Sequence, residues 1–231
     1  MANKIIFLLL IIFCSNIYAS DTKYSYIEAK YKFYYKKIKA GEMLLKIRNE
    51  KDNIEISTTY NGNIIAKLVA RDFRQEISLV KFKNNKYFPL NYSYKDNKSS
   101  YNVNYKSKNE VNLSDEGADE GTENIIKSEN EIHDPLYMLI KIMNSYPNIG
   151  NKFETISKGR LKTYNYNFLD NQTIIINEKK YSGYTAEYKS GRKTNNFFFS
   201  QNHKNLMVYT KISKNGVEII RVELSEIVSI K

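Results

Sequence analysis

Ile27-Glu28-Ala29-Lys30-Tyr31-Lys32-Phe33-Tyr34-Tyr35 decides the fold. Ile27, Ala29, Tyr31, Phe33 and Tyr35 share one side of an extended chain, and Glu28, Lys30 and Lys32 take the other. Side chains alternate across a strand with a period of two. The segment therefore reads as a half-buried strand, apolar toward a core and polar toward water. The pattern repeats along the chain. Leu90, Tyr92 and Tyr94 alternate with Asn91, Ser93 and Lys95, and Tyr101, Val103 and Tyr105 with Asn102, Asn104 and Lys106. Tyr164, Tyr166 and Phe168 form one later face, and Tyr184, Ala186 and Tyr188 another.

Turn residues punctuate these runs at Asp52-Asn53, Asn61-Gly62, Asn84-Asn85, Asp96-Asn97 and Asn215-Gly216. Asn, Asp and Gly tolerate the positive φ that tight hairpins demand. Asn215-Gly216, between residues 208–212 and 217–224, is the clearest hairpin. Many short strands joined this way predict a mainly β protein: a strongly curved antiparallel sheet, or an open barrel, wrapped around one main helix.

That helix is predicted at Asp134-Pro135 and residues 136–145. Asp134 supplies an N-cap and Pro135 fits the first helical position. Leu136, Leu139, Ile140 and Met143 make an apolar stripe, expected in the core, and Pro147 ends the run. A second helical start near Asp72 competes with a strand, because residues 77–82 alternate. Residues 114–124, Ser-Asp-Glu-Gly-Ala-Asp-Glu-Gly-Thr-Glu-Asn, hold acids and glycines with no apolar residue larger than alanine. They are expected to form a mobile loop within a single β-rich domain over residues 20–231.

Residues 1–19 read as a signal peptide. Lys4 is its positive start, residues 5–13 its apolar stretch, and Ala19 a small residue for cleavage. The expected product is an exported periplasmic protein without a transmembrane segment, since nine apolar residues are too few to span a bilayer. Cys14, the one cysteine, follows Phe13, where a lipid-attachment site needs a small residue. It leaves with the leader, so thiol chemistry and disulfides are not expected.

The formal charge of +11 invites an anionic partner. Only six of the 36 basic residues are arginines, the better phosphate readers, and export argues against nucleic acid. Apart from the short run at residues 36–39 no lysine cluster stands out, and the charge reads as a basic solvated surface.

Catalytic patterns are scarce. His133 and His203 lack the spacing of a zinc site. His133 beside Asp134 invites a general-base reading, but Asp134 is better used as the helix cap. The acids at 115, 116, 119, 120 and 123 lack the alternating spacing of a calcium loop. No phosphate-cradling glycine loop or nucleophile elbow is present. No catalytic residue, cofactor or metal ligand is assigned.

The order of motifs is also informative. A tyrosine-rich strand leads to Lys39-Ala40-Gly41-Glu42, then Tyr87-Phe88-Pro89-Leu90-Asn91-Tyr92 and the Asp134-Pro135-Leu136 helix start. Lys158-Gly159-Arg160-Leu161-Lys162-Thr163-Tyr164 and a closing hairpin from Asn205-Leu206-Met207-Val208 to Asn215-Gly216 follow. This order resembles the exported bacterial domain-of-unknown-function family 3108, over residues 24–224. The resemblance implies a periplasmic protein with a curved antiparallel sheet around a helix, similar in shape to periplasmic lipoprotein carriers. It implies no catalytic residues. Tyr137 departs from the family pattern, which has a small residue there.

The function expected on these grounds is a non-enzymatic binding or carrier protein of the cell envelope, with a lipid-like or envelope-polymer ligand held between sheet and helix. An envelope hydrolase with two acids paired in space is one alternative, and a structural partner in an envelope assembly is another.

Overall fold

The computed structural model describes residues 25–69, 72–84, 86–115 and 124–231. Residues 1–19, read above as a signal peptide, and the centre of the acidic stretch lie outside the described residues.

The first half of the chain is a meander. It runs through β1 (Tyr26–Tyr35), β2 (Ile38–Glu50), β3 (Asn53–Gly62), the short helix α1 (Ile64–Val69), β4 (Phe73–Lys83), β5 (Lys86–Asp96), β6 (Ser100–Ser107), β7 (Glu110–Asp115) and β8 (Asn124–Lys127). Then β9 (Ile132–His133) enters helix α2 (Pro135–Ser145). The chain continues through β10 (Lys152–Ser157), β11 (Arg160–Ile176), β12 (Lys179–Ser190), β13 (Lys193–Ser200), β14 (Leu206–Lys214) and β15 (Val217–Ile230). These strands form one sheet in the order β8-β7-β6-β5-β4-β3-β2-β1-β15-β14-β13-β12-β11-β10-β9. Its edges are β8 and β9, so no ladder among the described residues closes it into a barrel.

Sequence neighbours pair antiparallel almost throughout, and most are joined by two-residue turns, which can only reverse the chain. The turn between β14 and β15 has φ of 52° at Asn215 and 80° at Gly216, the left-handed pair that matches strand twist. Pairing departs from antiparallel at one edge, where β9 lies parallel to β10 through Ile132–Glu154 and His133–Thr155. Helix α2 joins these two strands, and a helical crossover is the usual link between parallel strands.

The alternation reads correctly in β1, where Ile27, Ala29 and Tyr31 are buried, and it fails at Leu90. Val80 pairs with Pro89 and Leu79 with Asn91, which leaves Leu90 as an extra residue. This bulge shifts the alternation by one. Pro89 therefore turns inward and Leu90 is exposed, while Tyr92 and Tyr94 stay buried.

Other expectations are corrected as well. Asn61-Gly62 is no turn; it ends β3, with Gly62 opposite Gly41. A Cβ on Gly41 would stand 2.4 Å from the Asn61 carbonyl oxygen, so the residue is glycine for close approach. The second helix lies upstream of Asp72 at Ile64–Val69, capped by the Asn63 side chain, and Phe73–Lys83 is strand. Ser114 and Asp115 belong to β7 and Asn124 to β8, because ladder bonds join backbones and need no apolar side chains.

Asp134 caps α2 and Pro135 takes its first turn. Leu136, Ile140 and Met143 are buried, together with Tyr137 and Ile142. Leu139, expected in the core, is only half-buried. Strands far apart in the sheet bond to this helix. Tyr184 on β12 donates its hydroxyl to the Ile142 carbonyl, and Asn205 its amide to that of Met143. From the other side, Ser78 on β4 and Tyr105 on β6 donate to Asp134. One hydrophobic cluster takes residues from both halves of the sheet and from α2.

Candidate binding cleft

Two polar clusters flank the start of α2. The first is sealed. Asp134 is fully buried, and its Oδ1 accepts from the Leu136 and Tyr137 backbone N–H groups at 2.9 and 2.8 Å. Its Oδ2 accepts from Ser78 at 2.9 Å and from Tyr105 at 3.3 Å. Burial raises the Asp134 carboxyl to about 7 against these bonds, and Glu76 adds to the rise. Glu76 is buried as well, held by Arg74 and by the Tyr92 hydroxyl at 2.9 Å. Two buried carboxyls, one with a raised pKa, are the chemistry of an acid–base pair. Here both are already engaged by protein donors and shut away from water.

The second cluster opens to solvent. Glu131 precedes β9, and its carboxylate takes Lys141 from α2 and the Tyr137 hydroxyl at 2.7 Å. Lys108, in the β6–β7 turn, lies 3.4 Å away. Tyr137 and Lys141 are four residues apart, hence neighbours on one helix face. Burial works to raise the Glu131 pKa, but the bonds from Lys141 and Tyr137 outweigh it and hold it low.

His133 sits behind this group. Its Nδ1 lies 3.1 Å from the Glu154 carbonyl oxygen, which can only accept, so Nδ1 carries the proton. Nε2 then accepts from Lys141 at 3.0 Å. Burial first, and the Lys141 charge second, lower the His133 pKa to about 4. Its ring stacks on Tyr137 at 5.2 Å and meets Phe153 edge-on at 5.4 Å. A neutral imidazole with both nitrogens engaged orients a lysine; it does not abstract a proton. His203 is elsewhere, with Nδ1 2.9 Å from the Ser200 hydroxyl.

Glu131 lines a cleft of about 200 Å³ together with Tyr87, Tyr137 and Ser145 and three lysines, Lys86, Lys108 and Lys141. Three ammonium groups face one carboxylate, a surplus of two positive charges. Sequence reading weighed His133 and Tyr137 but missed the lysines and Glu131. The Tyr137–Lys141 spacing was a usable signal, whereas Lys86 and Lys108 arrive from separate turns. Among the described residues no group of three or more His, Cys, Asp or Glu could hold a metal ion. No described helix is long and apolar enough to cross a membrane. Compared with protein-family models and with curated proteins, the chain matches none.

Proposed function

We propose that this is a non-enzymatic binding protein of the cell envelope, which receives the anionic group of a lipid-like or envelope-polymer ligand in the cleft between Lys86, Lys108 and Lys141. The observation that carries this reading is the charge surplus of that cleft. Its one acid is shared by Lys141, the Tyr137 hydroxyl and, at 3.4 Å, Lys108, so one carboxylate charge stands against three ammonium groups and Lys86 and Lys108 can turn to an incoming anion.

The proposal includes a sheet strongly curved about α2. Chain length supports it: β8 ends at Lys127 and β9 begins at Ile132, a reach of at most about 18 Å. Laid flat, fifteen strands would hold those edges about 65 Å apart. The hydrogen bonds from β4, β6 and β12 to one helix support it too. Kinship with the exported family 3108, and a periplasmic address, belong to the same proposal and rest on motif order and the leader pattern alone. The hydrolase alternative finds its carboxyl pair in Asp134 and Glu76, where substrate has no access.

Calorimetric titration with dihexanoyl phosphatidate and with inorganic phosphate tests the cleft. Binding of either is expected, with each of Lys86→Met and Lys108→Met weakening it about fivefold. Binding that these changes leave untouched, or no binding at millimolar concentration, refutes the assignment.

A further inference from the structure

A second surface lies at one end of the sheet. The β1–β2 turn, α1, the β14–β15 turn and the β12–β13 turn all leave the sheet at the same end, since their strands alternate in direction. Backbone hydrogen bonds tie them into a row. Asn63 N–H donates to the Ala40 carbonyl, Lys36 N–H to that of Ile219, and Asn215 N–H to that of Arg192, at 2.9, 2.9 and 3.1 Å.

This rim combines two features. Ile38, Ile64 and Val217 are 55, 72 and 69 % exposed, and hence among the most exposed large aliphatics of the described chain. Around them stand Lys36, Lys37, Arg192, Lys193 and Lys214, all exposed, and no salt bridge among the described residues engages any of them. The acids nearby are already used: Glu42 pairs with Lys39 at 2.7 Å and Asp72 with Lys67 at 3.5 Å. Lys36 and Lys37 also hold φ of 45° and 71°, conformations suited to Asn-Gly. Lysine at both positions runs against the preference of the backbone.

We infer that this rim docks on an anionic phospholipid bilayer. Isolated aliphatic tips ringed by cations free of salt bridges suit a headgroup layer, where ammonium groups meet lipid phosphates and the branched side chains enter the acyl boundary. A soluble polyanion would use the lysines but gain nothing from Ile38, Ile64 and Val217. The inference is independent of the cleft, which is built from other turns.

Co-sedimentation with phosphatidylglycerol–phosphatidylethanolamine vesicles tests it, with phosphatidylcholine vesicles and heparin as comparisons and every variant in the same processed form as the parent. Binding to the anionic vesicles alone is expected at low salt. Lys36→Glu with Lys37→Glu should weaken it at least about tenfold. Ile38→Ser with Ile64→Ser and Val217→Ser should abolish vesicle binding while leaving any heparin binding unchanged. These positions are exposed, so an unchanged melting temperature verifies the fold of each variant, and Lys86→Met should have no effect. No vesicle binding, or binding indifferent to the three aliphatics, overturns the inference; heparin binding alone would mark the rim as a polyanion surface instead.

Discussion

Replacing Asp134 by asparagine isolates the electrostatics of the core. In the folded state the carboxyl titrates at about 7, against 3.8 for an unburied aspartate. Between those values the unfolded chain has released the proton and the folded chain keeps it, so stability falls as pH rises. About three pH units at about 1.4 kcal/mol each make a loss of about 4 kcal/mol. His133 acts in the opposite sense. Its folded value is about 4 against 6.5. From pH 4 to 6.5 the unfolded imidazole holds a proton that the folded one lacks, and stability rises by about 3 kcal/mol. The two slopes nearly cancel in the parent protein below pH 6.5. The amide introduced by Asp134→Asn would still offer an oxygen to the Leu136 and Tyr137 N–H groups but would not titrate. Urea denaturation from pH 4.5 to 7 should therefore show a nearly flat profile for the parent and a steep rise for Asp134→Asn. Their difference should grow by about 3 kcal/mol across that range. Parallel profiles would refute the assignment of a buried, protonated Asp134 at acid pH.

Two packing predictions follow from burial. Ile140→Ala should cost about 2–5 kcal/mol and Leu139→Ala about 1 kcal/mol, measured by urea denaturation, because only Ile140 is fully enclosed; equal losses would contradict this orientation of α2. A Cβ on Gly183 would stand 1.8 Å from the Phe199 carbonyl oxygen. Gly183→Ala must therefore push β12 from β13, at a cost of about 1–3 kcal/mol or more, and should speed amide exchange in that ladder.

What the sequence determined by itself is what depends on neighbours along the chain. Alternation in residues 27–35 fixes a strand face because successive side chains point oppositely, and Asp134-Pro135 starts a helix because the cap and the proline act within one turn. Asn215-Gly216 makes a hairpin for the same local reason. Tertiary structure decided what depends on partners elsewhere. Leu90 faces outward because a bulge against β4 absorbs one residue. Asn61-Gly62 stays in strand because β2 and β4 pair on either side of it. β9 runs parallel to β10 because α2 carries the chain across. The cleft belongs to this second class: Glu131, Lys141, Lys86 and Lys108 come from four segments, and charge meets charge there only once the sheet has brought those segments together.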